Sequence, residues 1–227
     1  MKTPLPRRLL AEFIGTAALL AVIVGSGHMG EMLARGNDAI ALLANSTATG
    51  LALYVLIVLL APVSGAHFNP VVSLALAFRR AIGWREALAY LPAQVFGAVC
   101  GVVLAHLMFG LDPVSFGMKI RTGPALWLSE AVATVGLLLT ILLGHRARPS
   151  QVPALVGAYI AAAYWFTAST AFANPAVTIA RALTTTFAGI RPVDVPGFIL
   201  AQLLGILVAL PLAAALTGRS QPVRKRA

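Results

Sequence analysis

Two short motifs concentrate the polar chemistry of this chain: Ser64-Gly65-Ala66-His67-Phe68-Asn69-Pro70-Val71 and Thr170-Ala171-Phe172-Ala173-Asn174-Pro175-Ala176-Val177. Each sets an Asn-Pro pair inside an apolar stretch. Asn is a preferred helix N-cap, and Pro suits the first helical turn, where its missing N–H would have no intrahelical partner. Both motifs therefore predict a helix that begins among apolar residues. Such a start leaves free N–H groups and a positive dipole end that must face water, protein or a solute. A pair of them points to a pore or a carrier site.

The elements that hold these motifs follow from composition. Hydrophobic residues make up 59% of the 227 residues and charged residues 11%, and the mean hydropathy is +0.88. Soluble domains carry about 25% charged residues, so this chain has too few to coat a globule. Long apolar stretches recur at about 9–29, 39–62, 87–109, 124–144, 153–170 and 196–217. They predict six membrane-spanning helices. Two shorter apolar pieces, 69–78 and 174–183, are too short to cross a core of about 30 Å and read as re-entrant half-helices.

A formal charge of +10 raises the question of nucleic acid, but the charges follow topology instead. Lys2, Arg7, Arg8, Arg79, Arg80, Arg85, Arg146, Arg148, Arg219, Arg224, Lys225 and Arg226 share one side of the six-span arrangement; Arg35, Lys119, Arg121, Arg181 and Arg191 take the other. The positive-inside rule then places both termini in the cytoplasm and the segment Asp112–Arg121 outside. The basic run Arg224-Lys225-Arg226 in the tail at 218–227 suits either anionic-lipid binding or, the favoured reading, simple topology retention. The single cysteine, Cys100, offers neither a disulfide nor a cysteine metal site and reads as a small packing residue.

The two halves repeat one another. Glu12 answers Glu130, Asn69 answers Asn174, and Gln94 answers Gln202, at separations of 118, 105 and 108 residues. Three spans per repeat is odd, so the second repeat must enter the membrane inverted. Inverted repeats with broken helices bring two half-helix N-termini to the bilayer midplane from opposite sides.

On these residues the chain resembles the aquaporin (major intrinsic protein) family. The resemblance runs through Ala11-Glu12-Phe13-Ile14-Gly15-Thr16, the two Asn-Pro motifs and both Gln-x-x-Gly elements. It is closest in kind to the bacterial aquaglyceroporin-like branch associated with arsenic-detoxification genes. It implies an all-α membrane fold of six transmembrane helices and two half-helices in inverted repeats. The expected organisation is one channel domain over 1–227, with repeats at about 7–109 and 124–217.

Several site roles follow. Asn69 and Asn174 each cap a half-helix, and their side-chain NH2 groups are expected free to donate into the lumen. The resemblance implies that carbonyls of Gly65, Ala66, His67, Thr170, Ala171 and Phe172 form an acceptor ladder on one wall. Glu12 and Glu130, costly in lipid, read as acceptors for the non-helical segments ahead of the half-helices; a solute contact or proton relay is the other option. Gln94 and Gln202 join that scaffold or serve helix contact. His67 is expected in the inner vestibule, and His28, His106 and His145 at the interfaces. No His, Cys or carboxylate set has metal-ligand spacing, and no cofactor motif appears.

Four filter positions transfer from the family by distance: Thr49, Ala162, Ala171 and Val177. Most members carry Arg where Val177 stands. Here none of the four is large, aromatic or charged, which predicts a wide, weakly polar filter. Arg181, one turn past Val177, either restores charge at the outer vestibule or complements the C-terminal end of its half-helix.

These readings point to a passive channel for small uncharged solutes: arsenous acid and related metalloid species, glycerol-like polyols and water. The family implies a homotetramer in a bacterial inner membrane. A secondary transporter would also use inverted repeats, with Glu12 and Glu130 as the candidate proton carriers. An intramembrane enzyme lacks a nucleophile beside a base, and a sealed structural protein fits poorly with small filter residues.

Overall fold

The computed structural model describes residues 3–217, and the basic tail at 218–227 lies outside the described residues. Eight α-helices follow in chain order: α1 (Leu5–Ala34), α2 (Asp38–Ser64), α3 (Pro70–Phe78), α4 (Trp84–Met108), α5 (Pro124–Ala147), α6 (Val152–Phe166), α7 (Pro175–Arg181) and α8 (Val195–Thr217). Among the described residues there is no strand. Five helices, α1, α2, α4, α5 and α8, are long and apolar enough to cross a membrane.

The two repeats pack alike. Helix α1 lies against α2 and α4, and α5 lies against α6 and α8. Helix α2 meets α6 where the repeats join. Gly50 and Gly157 face each other at that crossing, and a Cβ on either would enter the other's carbonyl oxygen. Two helices at normal width do not fit there, so the missing side chains set the closeness of the repeats.

The span expected over 153–170 is shorter: α6 has 15 residues and ends at Phe166. The chain leaves the helix at Thr167, which is extended (φ −110°, ψ 133°) and whose hydroxyl donates to Ala163 O at 2.7 Å. The residues beyond it are spent on the non-helical segment that leads to Asn174. Likewise α7 stops at Arg181 rather than 183, because the backbone turns there: Ala182 N and Leu183 N donate to Ile179 O and Ala180 O. Cys100 is exposed on the outer surface of α4, so its expected packing role is corrected.

The half-helices α3 and α7 enter from opposite faces, start at Asn69 and Asn174, and end near Arg79 and Arg181. The segment 109–123 folds over the residues that follow α7. Gly117 N donates to Ala182 O at 2.9 Å and Arg191 N to Lys119 O at 3.0 Å. This covers the C-terminal end of α7.

Candidate pore and its filter

Each motif builds its own geometry from the cap outward. Asn69 Oδ1 accepts from Val71 N at 2.9 Å, and Asn174 Oδ1 accepts from Ala176 N at 3.0 Å and Val177 N at 3.3 Å. Both side chains thus satisfy first-turn donors. Their amides do not hang free as expected. Asn69 Nδ2 donates to Ala173 O and Asn174 Nδ2 donates to Phe68 O, each at 2.8 Å. One N–H of each amide ties the two repeats together, and the second remains for the lumen.

The segments ahead of the caps are neither helix nor strand. Ala66 and Phe68 have φ of 52° and 51°, and Thr170, Ala171 and Ala173 have 62°, 48° and 46°. A non-glycine residue in this region costs on the order of 1–3 kcal/mol unless its surroundings hold it. The duplicated carboxylates hold it. Glu12 accepts from His67 N at 2.9 Å, Phe68 N at 2.7 Å, Ser64 Oγ at 2.7 Å and Gln94 Nε2 at 2.8 Å. Glu130 accepts from Phe172 N at 2.9 Å, Ala173 N at 2.8 Å and Gln202 Nε2 at 2.7 Å. With these N–H groups drawn away, the carbonyls of the same segments are released toward the other side. Both carboxylates are fully buried and held by these bonds.

Gln94 and Gln202 each reach a second acceptor, Ser73 Oγ at 3.0 Å and Thr178 Oγ1 at 2.9 Å. These two hydroxyls stand four residues after each Asn, and the duplication itself marks them. His67 adds Nδ1 to Ser73 Oγ at 2.9 Å.

A cavity of about 160 Å³ runs between the repeats, lined by Asn69 and Asn174 at its middle. Gly65, Ala66 and His67 line one half, and Ala171 and Phe172 the other; Thr170 is not in the lining. The facing wall is apolar, with Leu19, Ile23, Leu53, Ile57, Leu137 and Ile141. His145 stands in the last turn of α5, at a span end as expected, and also lines the cavity. His106 is buried, with Nδ1 3.1 Å from Pro113 O and Nε2 2.7 Å from Thr184 Oγ1, so it pins the outer loops.

Three of the four expected filter residues, Thr49, Ala171 and Val177, line the cavity. Ala162 does not: it is exposed. Helix α6 presents Val152, Val156, Ile160 and Tyr164 to the cavity, a four-residue stripe. At about 100° per residue, Ala162 sits ~200° around from Ile160 and points away. Tyr164, two residues on, lines the cavity where Ala162 does not, with its hydroxyl 3.4 Å from Thr49 Oγ1. Arg181 also lines the cavity. The lining near Val177 therefore contains an aromatic and a charged side chain, which the transferred positions did not show. Among the described residues, no three His, Cys, Asp or Glu side chains come together to hold a metal ion.

The model of the family described as Major intrinsic protein matches residues 1–163. The chain belongs to the major intrinsic protein family. Its members are membrane channels and not enzymes, and this chain is a multi-pass membrane protein of that kind. It is 55% identical to Aquaglyceroporin AqpS of Rhizobium meliloti (strain 1021) over 219 residues, 96% of this chain and 94% of that protein. It is 32% identical to Aquaporin PIP2-4 of Oryza sativa subsp. japonica over 175 residues, 68% of this chain and 60% of the plant protein. Its fold matches the X-ray structure of the aquaglyceroporin from Plasmodium falciparum with a TM-score of 0.70 at 17% identity, covering 96% of this chain and 97% of that one.

The paired caps give this channel a direct test. Asn174→Asp keeps an oxygen for Ala176 N but sets a negative charge between two positive helix ends and removes the donor to Phe68 O. Cation exclusion depends on positive potential at this point. Cation leak per unit of neutral-solute flux in liposomes should rise about tenfold, a barrier change of ~1.4 kcal/mol. An unchanged ratio would leave Asn174 as a cap without a part in selectivity.

Proposed function

We propose that this chain is a passive channel for small uncharged solutes, one pore within each protomer of a homotetramer in a bacterial inner membrane. The whole of 1–227 acts as one channel domain, with both termini cytoplasmic; the basic asymmetry supports this orientation. The solutes are arsenous acid and related neutral metalloid hydroxides, glycerol-like polyols and water. The observation that carries this reading is the two-sided cavity. One side offers carbonyls and the Asn69 and Asn174 amides, and the other offers aliphatic side chains. A polyol or trihydroxide has hydroxyls to satisfy the first side and tolerates the second.

At the filter, Thr49, Ala171 and Val177 lie with Tyr164 and Arg181. Valine in place of the family's arginine frees the volume of a long side chain, which favours solutes wider than water. The near relative in Rhizobium meliloti is by its name an aquaglyceroporin, in keeping with this reading.

A stopped-flow panel on proteoliposomes checks it. Water, glycerol, urea and arsenous acid are each followed with and without a proton gradient. Glycerol and arsenous acid should equilibrate well above the rate of empty liposomes, at rates indifferent to the gradient. Flux of water alone would remove the wide filter, and flux that needs the gradient would replace a channel with a carrier.

A further inference from the structure

We propose that the pore mouth at the C-terminal end of α7 holds a binding site for small monovalent oxyanions, built by Arg181 and Arg121 against the ring of Phe172. This goes beyond the neutral-solute reading and stands on separate observations.

Arg181 is 2% exposed, and its Cζ lies 3.5 Å from the Phe172 ring centroid. Its Nε donates to Ala188 O. Arg121 comes from the distant segment ahead of α5, is 5% exposed, and places Cζ 5.0 Å from the same centroid. Its Nε donates to Gly189 O at 2.9 Å, and its Nη1 to Ser169 O at 3.2 Å. Stacking on a ring face is a favourable seat for a guanidinium, and the carbonyls lock its plane.

The two cations have no carboxylate partner. Among the described residues the ion pairs are Arg8–Glu86 and Arg191–Asp194. The acidic groups nearby are engaged elsewhere. Glu130 is taken by Phe172 N, Ala173 N and Gln202. Asp194 accepts from Arg191 and from Arg121 N, and Glu31 Oε2 from Phe187 N. The charge of Glu130 acts on both guanidiniums from a distance, but no carboxylate touches either, and burying a cation without a contacting counter-charge is expensive; the pair leaves a place in direct contact for a negative group.

Donors remain for such a group. Arg181 lines the cavity, and neither of its Nη atoms has a protein partner among the described residues. Neither is among the unpartnered atoms sealed from solvent, so both open into the cavity. Lys119, whose ammonium sits 4.6 Å from the Phe187 ring centroid, adds a third positive charge at the rim. Burial first, and then the charges of Arg121 and Arg181, hold its pKa below the ordinary lysine value.

The donor fork of a guanidinium selects a planar or tetrahedral group with two oxygens on one side. Val177 and Ala171, which line the same cavity as Arg181, favour a compact apolar substituent. A single charge fits best, because the cost of stripping water grows steeply with charge. Small alkylphosphonate monoanions have this form.

The test is equilibrium binding of radiolabelled methylphosphonate to the full chain in nanodiscs of neutral lipid, at a pH where the monoanion dominates. The parent should bind saturably. Arg181→Gln should weaken Kd about tenfold or more, since it removes charge and fork together. Arg181→Lys, with charge but no fork, should fall between. Arg121→Gln should weaken binding as well; because Arg121 also braces Gly189 and Ser169, Arg181→Gln decides the matter where that variant is not monodisperse. No saturable binding by the parent, or parent-like binding by Arg181→Gln, overturns the site. Glycerol flux of the parent is read separately. Flux without binding defeats this proposal alone, and binding without flux defeats the channel reading alone.

Discussion

Glu130→Leu should leave little folded, conducting protein. The carboxylate accepts from Phe172 N, Ala173 N and Gln202 Nε2 in a fully buried position. Leucine matches much of its volume and none of its acceptors. Each buried donor left unpaired costs about 1–3 kcal/mol. Two backbone N–H groups and an amide are stranded at once, so the loss reaches a large share of a stability that is normally ~5–15 kcal/mol. The positive-φ turns at Ala171 and Ala173 lose the contacts that hold them, and the carbonyl ladder should collapse with them. Size-exclusion profiles after detergent extraction, thermal unfolding and glycerol flux per inserted protein measure the effect. Glu130→Gln, which keeps one acceptor oxygen, should lie between. A leucine variant with parental melting and parental flux would show that the segment holds its shape without the carboxylate.

Val177→Arg should cut the permeability ratio of large solutes to water about tenfold or more, a barrier change of ~1.4 kcal/mol or greater. Val177 lines the cavity and is 3% exposed. A longer, charged side chain there narrows the cavity that Thr49 and Tyr164 also line. The structure adds a consequence absent from the four transferred positions, because Arg181 follows one turn later in the same lining. A turn rises about 5.4 Å, and two unit charges ~6 Å apart repel by about 3 kcal/mol at an effective dielectric of 20. The variant should therefore also melt earlier. Combining it with Arg181→Gln should restore melting while keeping the narrowed passage. Stopped-flow rates for water, glycerol and a longer polyol give the ratio. If it stays at the parent value, the size limit lies away from Val177.

Much of this protein is written in local pattern and in repetition. Hydropathy marked the long helices because a bilayer core demands apolar length and saturated backbone groups. Asn-Pro marked both half-helix starts because capping is decided within three residues. The paired Glu12 and Glu130, and the paired Gln94 and Gln202, were visible because duplication repeats a polar residue where lipid would forbid it. Three matters were decided only in three dimensions. The amides of Asn69 and Asn174 bond across the repeats, to carbonyls 104 and 106 residues away, which no local rule foresees. Ala162 and Tyr164 differ by two positions, and on a helix two positions turn a side chain to the opposite face. Arg121 and Arg181 meet at Phe172 only because the segment before α5 folds over the end of α7. Their positions along the chain show two isolated basic residues, whereas packing makes them neighbours without a counter-ion.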